Sequence, residues 1–172
     1  MTKTLIAFYS RRGENYVNGS IRNLAQGNTE VVAAKIKALL PDADVFQIDT
    51  TYEYSASYMT CIEEAKQELH DGARPEVKNP LASIEQYDTI IFGYPNWWGT
   101  MPMVCYTFLE QYDFSGKRII PFCTNEGSGL GSSVRFIKKL CPTAIVADGV
   151  AIHGAEANSA DREAQEIADM TK

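Results

Sequence analysis

Few residues of the kinds that build metal sites or disulfide frameworks are available to this chain: it has two histidines and four cysteines in 172 residues. Cys61, Cys105, Cys123 and Cys141 are far apart, with no Cys-x-x-Cys and no paired histidine spacing, so neither a zinc site nor a disulfide scaffold is indicated and the expectation is reduced, mostly buried thiols. Basic charge is also short. Sixteen Lys and Arg face twenty-two Asp and Glu, a net charge of −6, so the phosphate backbone of a nucleic acid would be repelled. Two readings of that acidity stand side by side: a face that steers a basic protein partner by long-range electrostatics, or the ordinary mild acidity of a soluble domain. Long apolar runs are absent as well, and Met1-Thr2-Lys3-Thr4 leads into an apolar strand without a leader or a small-residue cleavage site. The expectation is a cytoplasmic protein that does not span a membrane.

Several catalytic signatures are missing too. There is no Gly-x-x-x-x-Gly-Lys-Ser/Thr, and the Gly-x-Gly-x-Gly within Thr124–Gly131 has the wrong spacing and position for a dinucleotide fingerprint. A receiver domain needs acids where this chain has Ser10 and Pro95, and a cysteine phosphatase needs a Cys and Arg phosphate loop that does not occur. His70 and His153 have no evident Ser or Cys partner and read as structural.

What is present alternates. Apolar, β-branched or aromatic runs at Leu5–Tyr9, Val45–Ile48, Thr89–Gly93, Arg118–Cys123 and Ala144–Ile152, the last broken by Asp148-Gly149, predict five strands. Helical spacing predicts helices at Thr29–Leu40, Ser55–Leu69, Met103–Tyr112, Ser132–Leu140 and Ser159–Met170. Near-continuous apolar strands joined by helices imply an α/β fold: a three-layer, doubly wound, five-stranded parallel sheet in a single domain over residues 1–172. Ligands of such sheets sit at the carboxyl ends of the strands.

The segments at those ends are rich in Gly, Ser, Thr and Asn. Gly27-Asn28-Thr29 opens the first helix, so it either caps that helix or presents amides and hydroxyls to a phosphate. Ser10, just past the first strand, faces the same spot, and Arg11 and Arg12 either neutralise a dianion or lie solvated in the loop. After the third strand comes Tyr94-Pro-Asn-Trp-Trp-Gly99, which carries both tryptophans of the chain. Trp97 and Trp98 there either cap the sheet or hold a flat aromatic ligand. The loop Thr124-Asn125-Glu126-Gly127-Ser128-Gly129 suits close approach of backbone to a flat ring, with Glu126 its nearest acid.

In this order, these loops resemble the flavodoxin family over nearly the whole chain. The resemblance implies strand order 2-1-3-4-5 and FMN as cofactor. It puts Ser10, Gly27, Asn28 and Thr29 on phosphate-binding positions, Pro95, Asn96, Trp97, Trp98 and Gly99 on the first flavin loop, and Thr124, Asn125, Glu126, Gly127 and Gly129 on the second. A backbone group near Gly99 is the expected partner of the flavin N5. Two departures stand out. Sixteen residues, Arg11–Gln26, separate Ser10 from Gly27, which adds Asn15, Tyr16 or Asn18 as candidate contributors to the phosphate site. The second loop also lacks a covering aromatic, so one ring face stays open unless the tryptophans, Tyr16 or Tyr54 reach it.

The leading functional expectation is a one-electron carrier between redox partner proteins, with a basic surface expected on the partner. The alternative is an NAD(P)H-dependent FMN reductase of quinones or flavins, and a third is a member that holds no flavin and acts as an interaction module. The protein tunes the cofactor in the first two cases. Oligomeric state is not encoded in any motif.

Overall fold

Period-two burial divides the first strand between two cores, which is what a sheet covered on both faces requires. In the computed structural model, which describes residues 3–172, the strands are β1 (Thr4–Tyr9), β2 (Gly13–Val17), β3 (Ser20–Leu24), β4 (Asp44–Ile48), β5 (Thr89–Pro95), β6 (Arg118–Asn125), β7 (Ile145–Val146) and β8 (Val150–His153). The helices are α1 (Asn28–Leu39), α2 (Tyr58–Asp71), α3 (Met103–Gln111), α4 (Ser133–Leu140) and α5 (Asp161–Asp169).

Leu5, Ala7 and Tyr9 of β1 point into a core shared with Ile90, Phe92 and Tyr94 of β5 and with Val104, Phe108 and Ile137 of α3 and α4. Ile6 and Phe8 point the other way, against Val32 and Ile36 of α1 and Ala164 and Ile167 of α5. The sheet runs β4-β1-β5-β6, with β7 and β8 both alongside β6 and every pairing parallel. This is the expected 2-1-3-4-5 order. The fifth strand is split into β7 and β8 around Asp148-Gly149, where Gly149 takes a φ of +91°.

Close packing at the sheet centre dictates one residue outright. A Cβ on Gly93 would lie 2.1 Å from Cζ of Phe122, its β6 neighbour in register, so only glycine lets the two strands pair beneath that ring.

The stretch between Ser10 and α1 is not a loose phosphate loop. β2 and β3 form an antiparallel hairpin of their own, turning at Asn18 and Gly19 with φ of +50° and +88°. Positive φ at both central residues is the turn that matches strand twist, and Asn-Gly is its preferred sequence. All four cysteines are buried and free of disulfides. Among the described residues no helix is long and apolar enough to cross a membrane.

Candidate functional site

The parallel register brings the carboxyl ends of β1, β5 and β6 side by side, so their loops converge. The hairpin leaves the first of these loops and returns to it. Glu30 N–H donates to Ser10 Oγ at 3.1 Å, and a Cβ on Gly27 would stand 2.1 Å from Ser10 Oγ and 2.5 Å from the Arg11 carbonyl oxygen. Gly27 is therefore needed for space, since its φ of −65° and ψ of 155° are open to any residue. This contact closes the sixteen-residue gap and sets the start of α1 against Ser10. The N–H groups of Asn28 and Thr29 then open the helix with no acceptor in the protein among the described residues, at the positive end of the helix dipole. Thr29 and Thr124 share a buried hydroxyl hydrogen bond of 2.8 Å that ties α1 to β6.

The second and third loops are fastened to each other. Asn96 N–H donates to Thr124 O at 2.8 Å, Asn96 Nδ2 to Gly129 O at 2.9 Å, and Ser132 N–H to Gly99 O at 2.7 Å. Trp97 and Thr100 exchange backbone hydrogen bonds across a turn in which Trp98 and Gly99 have φ of +57° and +85°. A bulky residue in that region is strained. Trp98 is held there by its Nε1, which donates to Ile62 O at 2.8 Å, and by Lys66, whose Nζ lies 5.2 Å from its ring. Gly99 N–H donates to Asn96 Oδ1 at 2.9 Å. The backbone groups of Gly99, expected to meet a flavin, are here engaged within the protein, the N–H by Asn96 Oδ1 and the carbonyl by Ser132 N–H.

The two indoles thus part company. Trp97 stands edge-on between Tyr9 and Tyr54, at ring distances of 5.3 and 5.4 Å, whereas Trp98 leans on α2. Two adjoining chambers share Arg11, Asn15, Tyr58, Asn96 and Trp97 as walls. One, of about 160 Å³, runs from Ser10, Asn28 and Thr29 past Thr124, Asn125 and Glu126 to Pro95. The other, of about 240 Å³, is apolar, between Cys61, Ile62 and Ala65 of α2 and the indoles. Together they reach the lower end of the roughly 300–1,000 Å³ usual for ligand pockets. A wider groove of about 710 Å³ lies on the other side of Ser10 and Arg11, but it lacks the open helix terminus and the two fastened loops.

The hairpin forms the cover. Asn18 N–H donates to Glu126 Oε2 at 3.1 Å, Tyr58 N–H to Glu14 Oε1 at 2.8 Å, and Arg11 Nη2 to Ser55 O at 2.9 Å. Tyr16 stacks on Tyr58 with ring centres 6.2 Å apart, and His153 Nε2 lies 3.4 Å from Glu126 Oε2. Tyr16 and Tyr58 both line the first chamber, which therefore has aromatic rings on its hairpin side. Burial raises the Tyr58 phenol and the Cys61 thiol above their ordinary pKa values, so both walls stay neutral and Cys61 is no thiolate nucleophile.

Of the residues anticipated from sequence, Ser10, Arg11, Asn28, Thr29, Pro95, Asn96, Trp97, Thr124, Asn125 and Glu126 line the first chamber, and Trp98 lines the second. Gly27, Gly99, Gly127 and Gly129 shape the loops without forming those walls. Arg12 is elsewhere: its exposed guanidinium is paired with Glu30 at 2.7 and 3.0 Å, so the candidate dianion partner is satisfied on the outer face of α1. Ser128, within the anticipated second loop, lines the first chamber too, whereas Tyr58, Cys61, Ile62, Ala65 and Gly154 were not anticipated. Tyr16 and Asn15 could have been placed from Asn18-Gly19, a hairpin signal in plain view.

An anion-accepting helix start joined to a narrow aromatic-walled chamber, at the carboxyl edge of a doubly wound sheet, defines a protein for a planar ligand with a phosphate tail. The flavodoxin family model matches residues 21–166, and the chain belongs to the flavodoxin family. Among solved structures, candidate flavoproteins from Bacteroides eggerthii and Bacteroides uniformis are each 26% identical to it. The first covers 98% of this chain and 99% of that one with a TM-score of 0.75, the second 95% and 98% with 0.76. A flavoprotein from Lactobacillus acidophilus in complex with FMN has the same fold at 22% identity, covering 92% and 98%, with a TM-score of 0.69. No curated protein matches the chain. The family's cofactor is FMN, and the donor set fits it: acceptor-free amides with Ser10 and Asn28 for the phosphate, neutral aromatic and apolar walls for the ring.

Proposed function

We propose that this protein is an FMN-dependent carrier that passes single electrons between redox partner proteins. When bound, FMN supplies the redox chemistry itself. The chain's residues bind, orient and enclose. Ser10 and the first-turn amides of α1 hold the phosphate; Asn96 keeps the two ring loops at fixed separation; Tyr16, Tyr58 and Trp97 exclude water from the ring. Such a low-dielectric, acidic setting disfavours added negative charge and so favours a reduced cofactor that gives its electron away.

The observation that carries this reading is the hairpin wall: Asn15 lines both chambers and Tyr16 the first, and the hairpin is tied through Asn18 to Glu126 and through Glu14 to Tyr58. A covered ring leaves a nicotinamide no face to stack on, whereas an electron still leaves through an edge. The net charge of −6 makes a basic surface the natural complement on the partner. Four buried free thiols are in keeping with a reducing, cytosolic setting.

The test compares two reactions of the FMN-loaded protein. We expect slow NAD(P)H oxidation in the presence of a quinone, and rapid discharge of the dithionite-reduced protein to a basic cytochrome, at a rate falling steeply with ionic strength. Fast quinone-dependent NAD(P)H turnover would assign a reductase instead.

A further inference from the structure

We propose that Trp97, Tyr54 and Tyr52 form a relay that carries an oxidising equivalent from the FMN chambers to the protein surface. The physiological start of the relay rests on the FMN reading; the relay residues can be tested without it. Trp97 is a wall of both chambers. Its ring meets Tyr54 edge-on at 5.4 Å and 83°, and Tyr54 meets Tyr52 at 5.1 Å and 78°. The sequence runs outward: Tyr54 is half-buried and Tyr52 exposed.

Each phenol in the series has a base. Tyr54 donates its hydroxyl hydrogen bond to Glu68 and Tyr52 to Glu64, carboxylates one turn apart on α2. A phenol that loses an electron becomes a strong acid, so oxidation is eased where a carboxylate already accepts its proton. Burial raises the Glu68 carboxyl above its ordinary value, which strengthens it as a base. Tyr9 is the internal contrast. It touches Trp97 just as closely, at 5.3 Å, yet its hydroxyl donates to no carboxylate among the described residues.

The oxidant is light-excited oxidised FMN, which takes one electron from Trp97. Tyr54 returns an electron to the indole while its hydroxyl proton passes to Glu68. Tyr52 then gives an electron to Tyr54, Glu68 hands the proton back, and the Tyr52 proton passes to Glu64. A dissolved thiolate supplies the last electron to Tyr52, Glu64 returns the proton, and a thiyl radical leaves. One electron has moved from thiolate to FMN, and every side chain is restored. The relay spares Trp97 from oxidative damage.

The test starts in Trp98→Phe protein, where Trp97 is the sole indole, without cofactor. Azide radicals made by pulse radiolysis oxidise the indole, and transient absorption follows the decay of the tryptophanyl band and the rise of the tyrosyl band. We expect an interconversion rate independent of protein concentration, slowed at least about tenfold by Tyr54→Phe and slowed by Glu68→Gln, which keeps the ring. Tyr9→Phe should leave it unchanged. Flash excitation of the FMN-loaded protein should then give a long-lived tyrosyl signal that Tyr54→Phe abolishes. Interconversion as fast in Tyr54→Phe as in its parent, or lost in Tyr9→Phe, overturns the relay. If FMN quenches Trp97 yet Tyr54→Phe changes neither signal, the relay alone fails; absence of FMN binding with intact interconversion fails the cofactor reading and leaves the relay standing.

Discussion

Replacing Gly27 with alanine tests the joint that turns two distant segments into one phosphate cradle. Its backbone angles are open to alanine, so the lower freedom of the unfolded chain would by itself raise stability by roughly 0.4–1 kcal/mol. The new Cβ meets two oxygens. Ser10 Oγ, 2.1 Å away, can rotate aside, but its bond from Glu30 N–H is then lost, about 0.5–1.5 kcal/mol. The Arg11 carbonyl, 2.5 Å away and accepting from Asn15 Nδ2 at 2.9 Å, cannot rotate, so backbone must shift at an overpacking cost of about 1–3 kcal/mol. The net expectation is a loss of about 1–3 kcal/mol, with FMN binding weakened at least about tenfold because Ser10 and the α1 amides move apart. Urea unfolding of the apoprotein reads the first quantity, and FMN titration by tryptophan fluorescence the second. Adding Ser10→Ala to Gly27→Ala should recover only part of the stability, since the Arg11 contact remains. An alanine variant as stable as the parent, with unchanged FMN affinity, would refute the close approach and the cradle built on it.

The buried Thr29 to Thr124 hydrogen bond predicts that Thr29→Val costs about 1–3 kcal/mol by leaving a buried hydroxyl alone, and that Thr29→Val with Thr124→Val costs less than the two singles added, as a denaturant double-mutant cycle would reveal. Trp97→Phe should remove most of the fluorescence quenching caused by FMN, and Trp98→Phe far less, because Trp97 walls both chambers while Trp98 is pinned to Ile62; equal effects would count against the assignment. Burial lifts the Glu68 pKa in spite of the Tyr54 hydrogen bond that pulls it down. The folded chain therefore keeps that proton just above the ordinary glutamate value of about 4.3, where the unfolded chain has released it, and stability from this group falls as pH rises through the window. Unfolding curves at both ends of the window should diverge between parent and Glu68→Gln, whose side chain cannot titrate.

Strand and helix alternation was legible because burial on both faces imposes continuous apolar runs, and four of the five strands and all five helices lie within a few residues of the patterns read from sequence. The hairpin was not read, although Val17-Asn18-Gly19-Ser20 carries its turn chemistry. Its strands are polar, β3 mostly exposed and β2 mostly half-buried, so they lack the hydrophobic alternation that marks a strand. Tyr58, Cys61 and Ile62 escaped for another reason: they lie on a helix outside the three loops at the strand ends, and only its packing beside Trp98 makes them walls.

Sequence alone determined the doubly wound sheet, through periodicity, and the Ser10, Asn28-Thr29, Asn96-Trp97 and Thr124–Glu126 segments at its strand ends, whose order carries the resemblance to flavodoxins. Tertiary structure decided where each indole and each arginine sits and which hairpin stands beside the first chamber. Those outcomes depend on contacts between segments far apart in the chain. Arg12 could not be set on the outer face until Glu30 was there to hold it, and Trp98 could not be set against α2 until that helix offered the Ile62 carbonyl.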